Sequence, residues 1–493
     1  MGKRIEEVRE YFVDPKCPET AEDLAELGEE SIIEMARIYA SGGRYIPEID
    51  GGSELAQVVD EMLKAEAATR RFDDKFMGQI HPQGNKIGIL ANMVAAYMNT
   101  NTVVREVSMA ENRMEAEVLA RMAGWFGLPT GEFSGNMTVG GTTANLAAMW
   151  VARERVRQEM QNEGLSGRER REANLYIIGT EMAHYSIAKA KDMLGGNVIF
   201  LKAETDGFKT DPGSVERLVR AVVEGPGRDR RREHRVMAIV GLAGETETGE
   251  IDDLTALADI AEKYGVFFHV DAAYGGPFVL SKEGYRFAGI DRADSITIDP
   301  HKLLYVPYAA GAVLFKDYRS HMLVEAGMRN HARYLLKEDV RNGDSRTMER
   351  NFGMSRVEGS MGSGGVIATW ATLRLLGDDG IAALLNHTID LTKFAYERVL
   401  DSEVFRPMHV PETNTLLIGL RGDLGLSKTV RDEVIQLAQA RADAMGYYVS
   451  VNGELDDGSP VLRMVPMHPY TTREDVAEVI AVLEAEIKNY ISR

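Results

Sequence analysis

A chain of 493 residues can bury a large core and build more than one domain. Its 44% hydrophobic and 27% charged residues are ordinary for a globular protein, and a net charge of −19 argues against nucleic acid or an anionic membrane as partner. Cys17 is the only cysteine, so no intrachain disulfide forms, and a reducing cytoplasm is the expected location.

The start, MGKRIEEVREYF, carries charges where a signal peptide needs an apolar core. Residues 1–75 read as a polar helical segment, with Thr20 as an N-cap and a break at Gly42-Gly43. They hold too few apolar residues for a core of their own, and a partner subunit is one surface they could pack on. The uncharged stretch 87–104 contains Asn92, Asn99 and Asn101 and reads as a buried helix rather than a membrane span.

Beyond it the pattern alternates. RMEAEVLARMAGWFG is a helix, and seven β-rich runs follow, EFSGNMTVG, LYIIGT, NVIFLKA, VMAIVGLA, VFFHVDAA, DSITIDP and AGAVLFKD, most of them separated by helix-length segments. That order predicts βαβ units, a mainly parallel sheet and a ligand site beyond the strands' carboxyl ends. The basic run 225–235 is interrupted by Asp229 and Glu233 and reads as a solvated loop. From residue 379 the order becomes long helix, strand, helix, two short strands and helix, which suggests a smaller α+β domain over 379–493 beside a large domain over 76–378.

Four strand ends carry chemistry. In SITIDPHKLLYVPYAAGAVLF, His301 and Lys302 end a β run, and the apolar residues that follow would desolvate the lysine and favour a Schiff base. In VFFHVDAAYGG, Asp271 ends a buried strand, where it can pair with a protonated pyridine nitrogen, and Ala273 lets a flat ring approach the backbone. Gly141 and Thr142, in NMTVGGTTANLAAMW, stand between strand and helix as a phosphate cradle of backbone N–H groups and hydroxyls. His184, in EMAHYSIAKA, can lay its imidazole on a ring. Each feature alone has a structural explanation: a solvent lysine, a turn-capping aspartate, a capped glycine turn, a core histidine. Together they suit a ligand with a phosphate, a pyridine and an aldehyde, and no metal is called for.

With these four motifs in this order, the sequence resembles the group II amino-acid decarboxylases that use pyridoxal 5′-phosphate (PLP), from about residue 76 to the C-terminus. The resemblance implies the fold-type I, aspartate aminotransferase-like α/β architecture and a homodimer with active sites at the interface. It implies Lys302 as the Schiff-base lysine, Asp271 as the pyridinium partner, His184 as the stacking residue, Gly141, Thr142 and His301 at the phosphate, and Ala273 under the ring. Thr246 matches a threonine near the cofactor, although Glu245 stands where the family often has a first threonine. Ser360, in EGSMGSGG, corresponds to a residue that reaches the neighbouring subunit's phosphate, and MNTNTV (98–103) also fits the family. Gln79, in FMGQIH, and Arg463, in VLRMVPMHP, correspond to substrate-contacting residues, the arginine's planar fork suiting a carboxylate. Tyr334, in the charged loop 325–350, is the candidate acid that protonates Cα after decarboxylation of an acidic or aromatic L-amino acid. The alternatives are an aminotransferase, disfavoured because LLYVPYAAG follows the lysine where an arginine is usual, a sphingosine-phosphate-lyase-like aldehyde lyase, and a scaffold that has lost catalysis.

Overall fold

The computed structural model describes residues 3–12, 14, 26, 28, 72–103, 107–225, 232–328, 352–456 and 458–492. Most of the expected N-terminal helical segment, part of the basic run and most of the 325–350 loop, Tyr334 included, lie outside the described residues.

All seven β-rich runs form strands, and all seven join one sheet. They are β1 (Ser134–Thr138), β2 (Asn174–Thr180), β3 (Val198–Ala203), then, after a two-residue hairpin of β4 (Thr205–Asp206) and β5 (Lys209–Thr210), β6 (His234–Leu242), β7 (Phe267–Asp271), β8 (Ser295–Ile298) and β9 (Gly311–Phe315). Their spatial order is β1-β9-β8-β7-β6-β2-β3. Strands β3, β2, β6, β7 and β8 pair parallel, and β9 lies antiparallel between β8 and β1.

Both faces of this sheet are covered, which explains the unbroken apolar runs. Successive side chains serve opposite cores: Ile177, Val240 and Phe267 pack on one face, and Ile178, Ile239 and Phe268 on the other. The helices in chain order are α1 (Ile5–Arg9), α2 (Lys86–Met98), α3 (Met109–Trp125), α4 (Gly141–Asn162), α5 (Gly167–Glu172), α6 (Tyr185–Leu194), α7 (Pro212–Glu224), α8 (Leu254–Tyr264), α9 (Arg319–Met328), α10 (Gly364–Leu400), α11 (Lys428–Ala444) and α12 (Arg473–Ile491). Helices α4 and α6 contribute to the first core, and α3, α7, α8 and the front half of α10 to the second. The uncharged stretch forms α2, capped by Asn85, whose side chain accepts from Gly88 N, and ended by Asn99 in the left-handed region at φ 47°.

A second, antiparallel sheet has the order β10-β11-β13-β12, built from β10 (Phe405–Pro407), β11 (Leu416–Leu420), β12 (Ser450–Asp456) and β13 (Ser459–Met464). Sequence reading misses β10. It is three residues long and ends in Pro407, which an edge strand tolerates because its missing N–H faces no partner. Helix α10 runs through residue 379 and breaks its helical geometry at Gly377, where φ is 66°. A side chain would be strained there, so glycine permits the kink.

A buried ion pair ties the α3 side of the large sheet to the segment before α10. Arg356 Nη2 lies 2.6 Å from Glu115 Oε1, and the same oxygen accepts from Met137 N in β1. Arg356 Nη1 donates to Thr102 at 2.6 Å. Thr102 N in turn bonds Met361 O, and Asn101 bridges Gly362, so MNTNTV and EGSMGSGG, far apart in sequence, run against each other.

Candidate active site

The carboxyl ends of β1, β2, β6, β7 and β8 point the same way, and a cavity of about 310 Å³ opens beyond them. Lys302 enters it from the turn after β8. Its Nζ lies 3.0 Å from Asp299 Oδ2, and the side chain is only 13% exposed. Asp299, itself buried, has a second oxygen, Oδ1, with no hydrogen-bond partner among the described residues. His301 sits beside it, Nε2 3.6 Å from Asp299 Oδ2, while its Nδ1 accepts from Ala310 N at 3.2 Å. Burial lowers the His301 pKa, so the ring is neutral with its proton on Nε2.

Asp271 ends β7 and is buried. Its Oδ1 accepts from Ala273 N at 3.1 Å and its Oδ2 from Asn145 Nδ2 at 2.8 Å. Two fixed donors make it an acceptor toward the protein, ready for one more donor from the cavity. His184 caps α6, its Nδ1 2.8 Å from Ser186 Oγ, and burial lowers its pKa as well.

The opposite wall is the Gly140-Gly141 turn at the start of α4. A Cβ on Gly141 would lie 2.8 Å from Asp299 Oδ2 and 3.2 Å from Ala273 Cβ, and one on Gly140 3.3 Å from the His301 ring. Only glycine leaves this cradle open, with Thr142 and the N–H groups of the first turn at its edge. An open cradle with its first-turn N–H groups and a neutral imidazole with its N–H toward the cavity fit a phosphate at this end. Lys302, Asp271 and His184 fit an aldehyde-bearing pyridine at the other.

The structure thus brings together Gly141, Thr142, His184, Thr246, Asp271, Ala273, His301 and Lys302 around one cavity. Gln79, Ser360 and Arg463 do not line it. Ser360 is exposed and accepts from Asn101 Nδ2. Arg463, rather than pointing free at a substrate, donates from Nη1 to Thr246 O (2.8 Å), from Nη2 to Gly78 O (3.1 Å) and from Nε to Ser450 Oγ (3.1 Å). It therefore joins the small sheet to the cavity wall and to the segment bearing Gln79. Among the described residues no group of three or more His, Cys, Asp or Glu side chains is placed to hold a metal ion.

Four lining residues receive no role from the sequence. Asn145 and Asp299 stand inside GGTTAN and ITIDPHK, but their side-chain targets are set by other strands. Glu245 turns its carboxylate into its own turn, onto Glu247 N and Thr248 N, and burial pushes its pKa up to about 7. Tyr308 stacks on His301 with ring centroids 3.9 Å apart, and burial raises its hydroxyl pKa to about 12. No periodicity or motif marks it.

Residues 52–420 match the pyridoxal-dependent decarboxylase conserved domain. The chain is 32% identical over 339 residues to aspartate 1-decarboxylase of Aliivibrio fischeri, covering 64% of this chain and 58% of that protein. Likewise it spans 56% of L-2,4-diaminobutyrate decarboxylase of Rhizobium meliloti. It is 28% identical to L-tyrosine/L-aspartate decarboxylase of Methanocaldococcus jannaschii, covering 87% of this chain and 96% of that one. The crystal structure of mouse CSAD superposes with a TM-score of 0.72 at 23% identity, covering 95% of this chain and 99% of that one, a likeness of fold. Oryza sativa TDC with PLP and tryptamine superposes with a TM-score of 0.76 at 18% identity, over 96% and 99% of the two chains. With three quarters of its length matched and a cavity shaped for the cofactor, the chain belongs to the pyridoxal-dependent decarboxylase family, and its cofactor is PLP.

Proposed function

We propose that this protein decarboxylates an L-amino acid to the corresponding amine and carbon dioxide, with an acidic amino acid favoured over an aromatic one. The observation that carries the activity is the convergence of Lys302, Asp271 and His184 with the glycine cradle in one cavity. The lean toward acidic substrates rests on relatives named for aspartate, tyrosine/aspartate and acidic amino acids.

When bound, PLP supplies an electron sink conjugated to the substrate's Cα. Lys302 Nζ would hold it covalently, and Gly141, Thr142 and His301 would hold its phosphate. Asp271, an acceptor toward the protein, would keep the ring nitrogen protonated, and His184 would lie against the ring face with Ala273 opposite. Thr246 would limit the ring's movement from the β6 side. A guanidinium has five N–H groups and Arg463 commits three, so two remain for a substrate carboxylate beside Gln79. Tyr334 would deliver the proton to Cα, a task suited to a phenol protonated at neutral pH. The exposed Ser360 would serve a second subunit's phosphate, so the working form is a homodimer, in the cytoplasm. Among the described residues no helix is long and apolar enough to cross a membrane.

A panel of aspartate, glutamate, 2,4-diaminobutyrate, tyrosine, DOPA and tryptophan, assayed for carbon dioxide and amine on PLP-loaded protein, tests this. Turnover of aspartate or glutamate is expected, abolished in Lys302→Ala. Silence across the panel with PLP bound, or activity surviving in Lys302→Ala, would overturn it.

A further inference from the structure

Asp271 and His184 contact the cofactor in the reading above, and beyond the backbone N–H that each accepts, from Ala273 and Ser186, their side-chain partners converge on one residue. Asn145, on the first turns of α4, is 1% exposed and touches the supports of both. Its Nδ2 lies 2.8 Å from Asp271 Oδ2 and 2.8 Å from Ser186 Oγ, and its Oδ1 lies 3.0 Å from His269 Nε2. The next link is His269 Nδ1 to Ser295 Oγ at 2.8 Å. On the other branch Ser186 Oγ lies 2.8 Å from His184 Nδ1.

Donors and acceptors assign themselves along this chain. A carboxylate flanked by the Ala273 N–H and an amide cannot tolerate the amide oxygen, so Asn145 must present its NH₂ to Asp271. The Asn145 oxygen then needs a donor. His269 is fully buried, and burial lowers its pKa to about 4, so it is neutral and carries its one proton on Nε2. Its Nδ1 accepts from the Ser295 hydroxyl. Ser186 accepts from Asn145 and turns its own proton to His184 Nδ1, which also receives Ser186 N–H at 3.3 Å. His184 is thereby left with its proton on Nε2.

We infer that Asn145 is a positioning residue that, through one side-chain amide, orients Asp271 as an acceptor and, through the Ser186 hydroxyl, reinforces the Nε2–H tautomer of His184 that the Ser186 backbone N–H also favours. The ring-nitrogen partner and the ring-stacking imidazole are set by the same group, so they respond together. This inference rests on the roles proposed above for Asp271 and His184. Other charges act on His184 directly: Asp271 and Asp299 favour its protonated form, and Lys302 and Lys189 oppose it.

The test uses the full chain with Asn145→Asp, Ser186→Ala and Asp271→Asn. Asn145→Asp keeps shape and the acceptor for His269 but removes both donors and sets a second carboxylate against Asp271. Apoprotein titrated with PLP should bind about tenfold to a hundredfold more weakly, the factor corresponding to one lost hydrogen bond to a charged group. Ser186→Ala cuts one branch only. Nitrogen NMR of histidine-labelled apoprotein should show His184 as the Nε2–H tautomer in the wild type and with a larger Nδ1–H fraction in both Asn145→Asp and Ser186→Ala, where only the backbone N–H at position 186 still favours the wild-type form, a change that a role confined to packing would not produce. A wild-type His184 protonated on Nδ1, or PLP affinity within twofold in Asn145→Asp, would overturn the inference. Asp271→Asn separates the two layers. If it binds PLP with unchanged affinity and visible absorbance, the ring-partner role fails, whereas loss there with an unaffected Asn145→Asp sinks the inference alone.

Discussion

Replacing Glu245 with glutamine should make the protein's stability less sensitive to alkaline pH. Glu245 lies in the turn that walls the cavity, only 4% exposed, with its carboxylate accepting from Glu247 N, Thr248 N and the Thr248 hydroxyl at 2.8–3.0 Å. Burial nevertheless dominates and pushes its pKa from 4.5 up to about 7, those hydrogen bonds opposing the shift and the neighbouring Glu247 adding to it. The folded protein therefore binds a proton that the unfolded chain has released between pH ~4.5 and ~7. Stability from this group is fully present below the unfolded value and is lost as pH rises through the folded one. At about 1.4 kcal/mol per pH unit the whole window amounts to about 3 kcal/mol. The amide of the Glu245→Gln variant carries no charge at any pH and still offers an oxygen to the same N–H groups. Chemical denaturation of apoprotein at pH 5 and pH 8 should show the difference between Glu245→Gln and wild type moving by about 2 to 3 kcal/mol in the variant's favour. Parallel curves for the two proteins across that range would refute the reasoning and mean that the three hydrogen bonds, not burial, set the carboxyl's affinity for its proton.

Three further outcomes follow from the packing and the site. Glu115→Ala leaves Arg356 buried without its carboxylate and should cost about 3 to 5 kcal/mol in chemical denaturation, and a loss below about 1 kcal/mol would mean the pair is not a structural tie. Gly141→Ala should leave the fold intact and weaken PLP binding at least about tenfold, because its Cβ would fill the cradle 2.8 Å from Asp299 Oδ2. Unchanged affinity would place the phosphate elsewhere. Tyr334→Phe should lower the decarboxylation rate by about a hundredfold or more with PLP binding preserved, as loss of a general acid does, and full activity would remove Tyr334 from the mechanism.

The strands and the motif positions were legible because each depends on near neighbours in the chain. A strand buried on both faces must be apolar at every position, so VMAIVGLA and VFFHVDAA declare themselves. A residue that ends such a strand, or lies in the turn just after it, must stand at the rim of a parallel sheet, which places Asp271 and Lys302 there from the sequence alone. Two-residue and three-residue strands such as β4 and β10 leave no such run. The pairings that make the site specific arise only on folding. Asn145 meets Asp271 across 126 residues, and His269 meets Ser295 only because β7 and β8 pair with those two residues in register. Arg463 reads as a free carboxylate clamp in the sequence, yet the approach of β13 to the Gly78 and Thr246 carbonyls engages each of its nitrogens. A hydrogen bond needs its partners within about 3 Å, and for residues this far apart only the packed sheet register and helix placement bring them there. Local patterning dictates the sheet, the cradle and which residues reach the rim, while what each polar group touches depends on strands and helices that meet only in the folded chain.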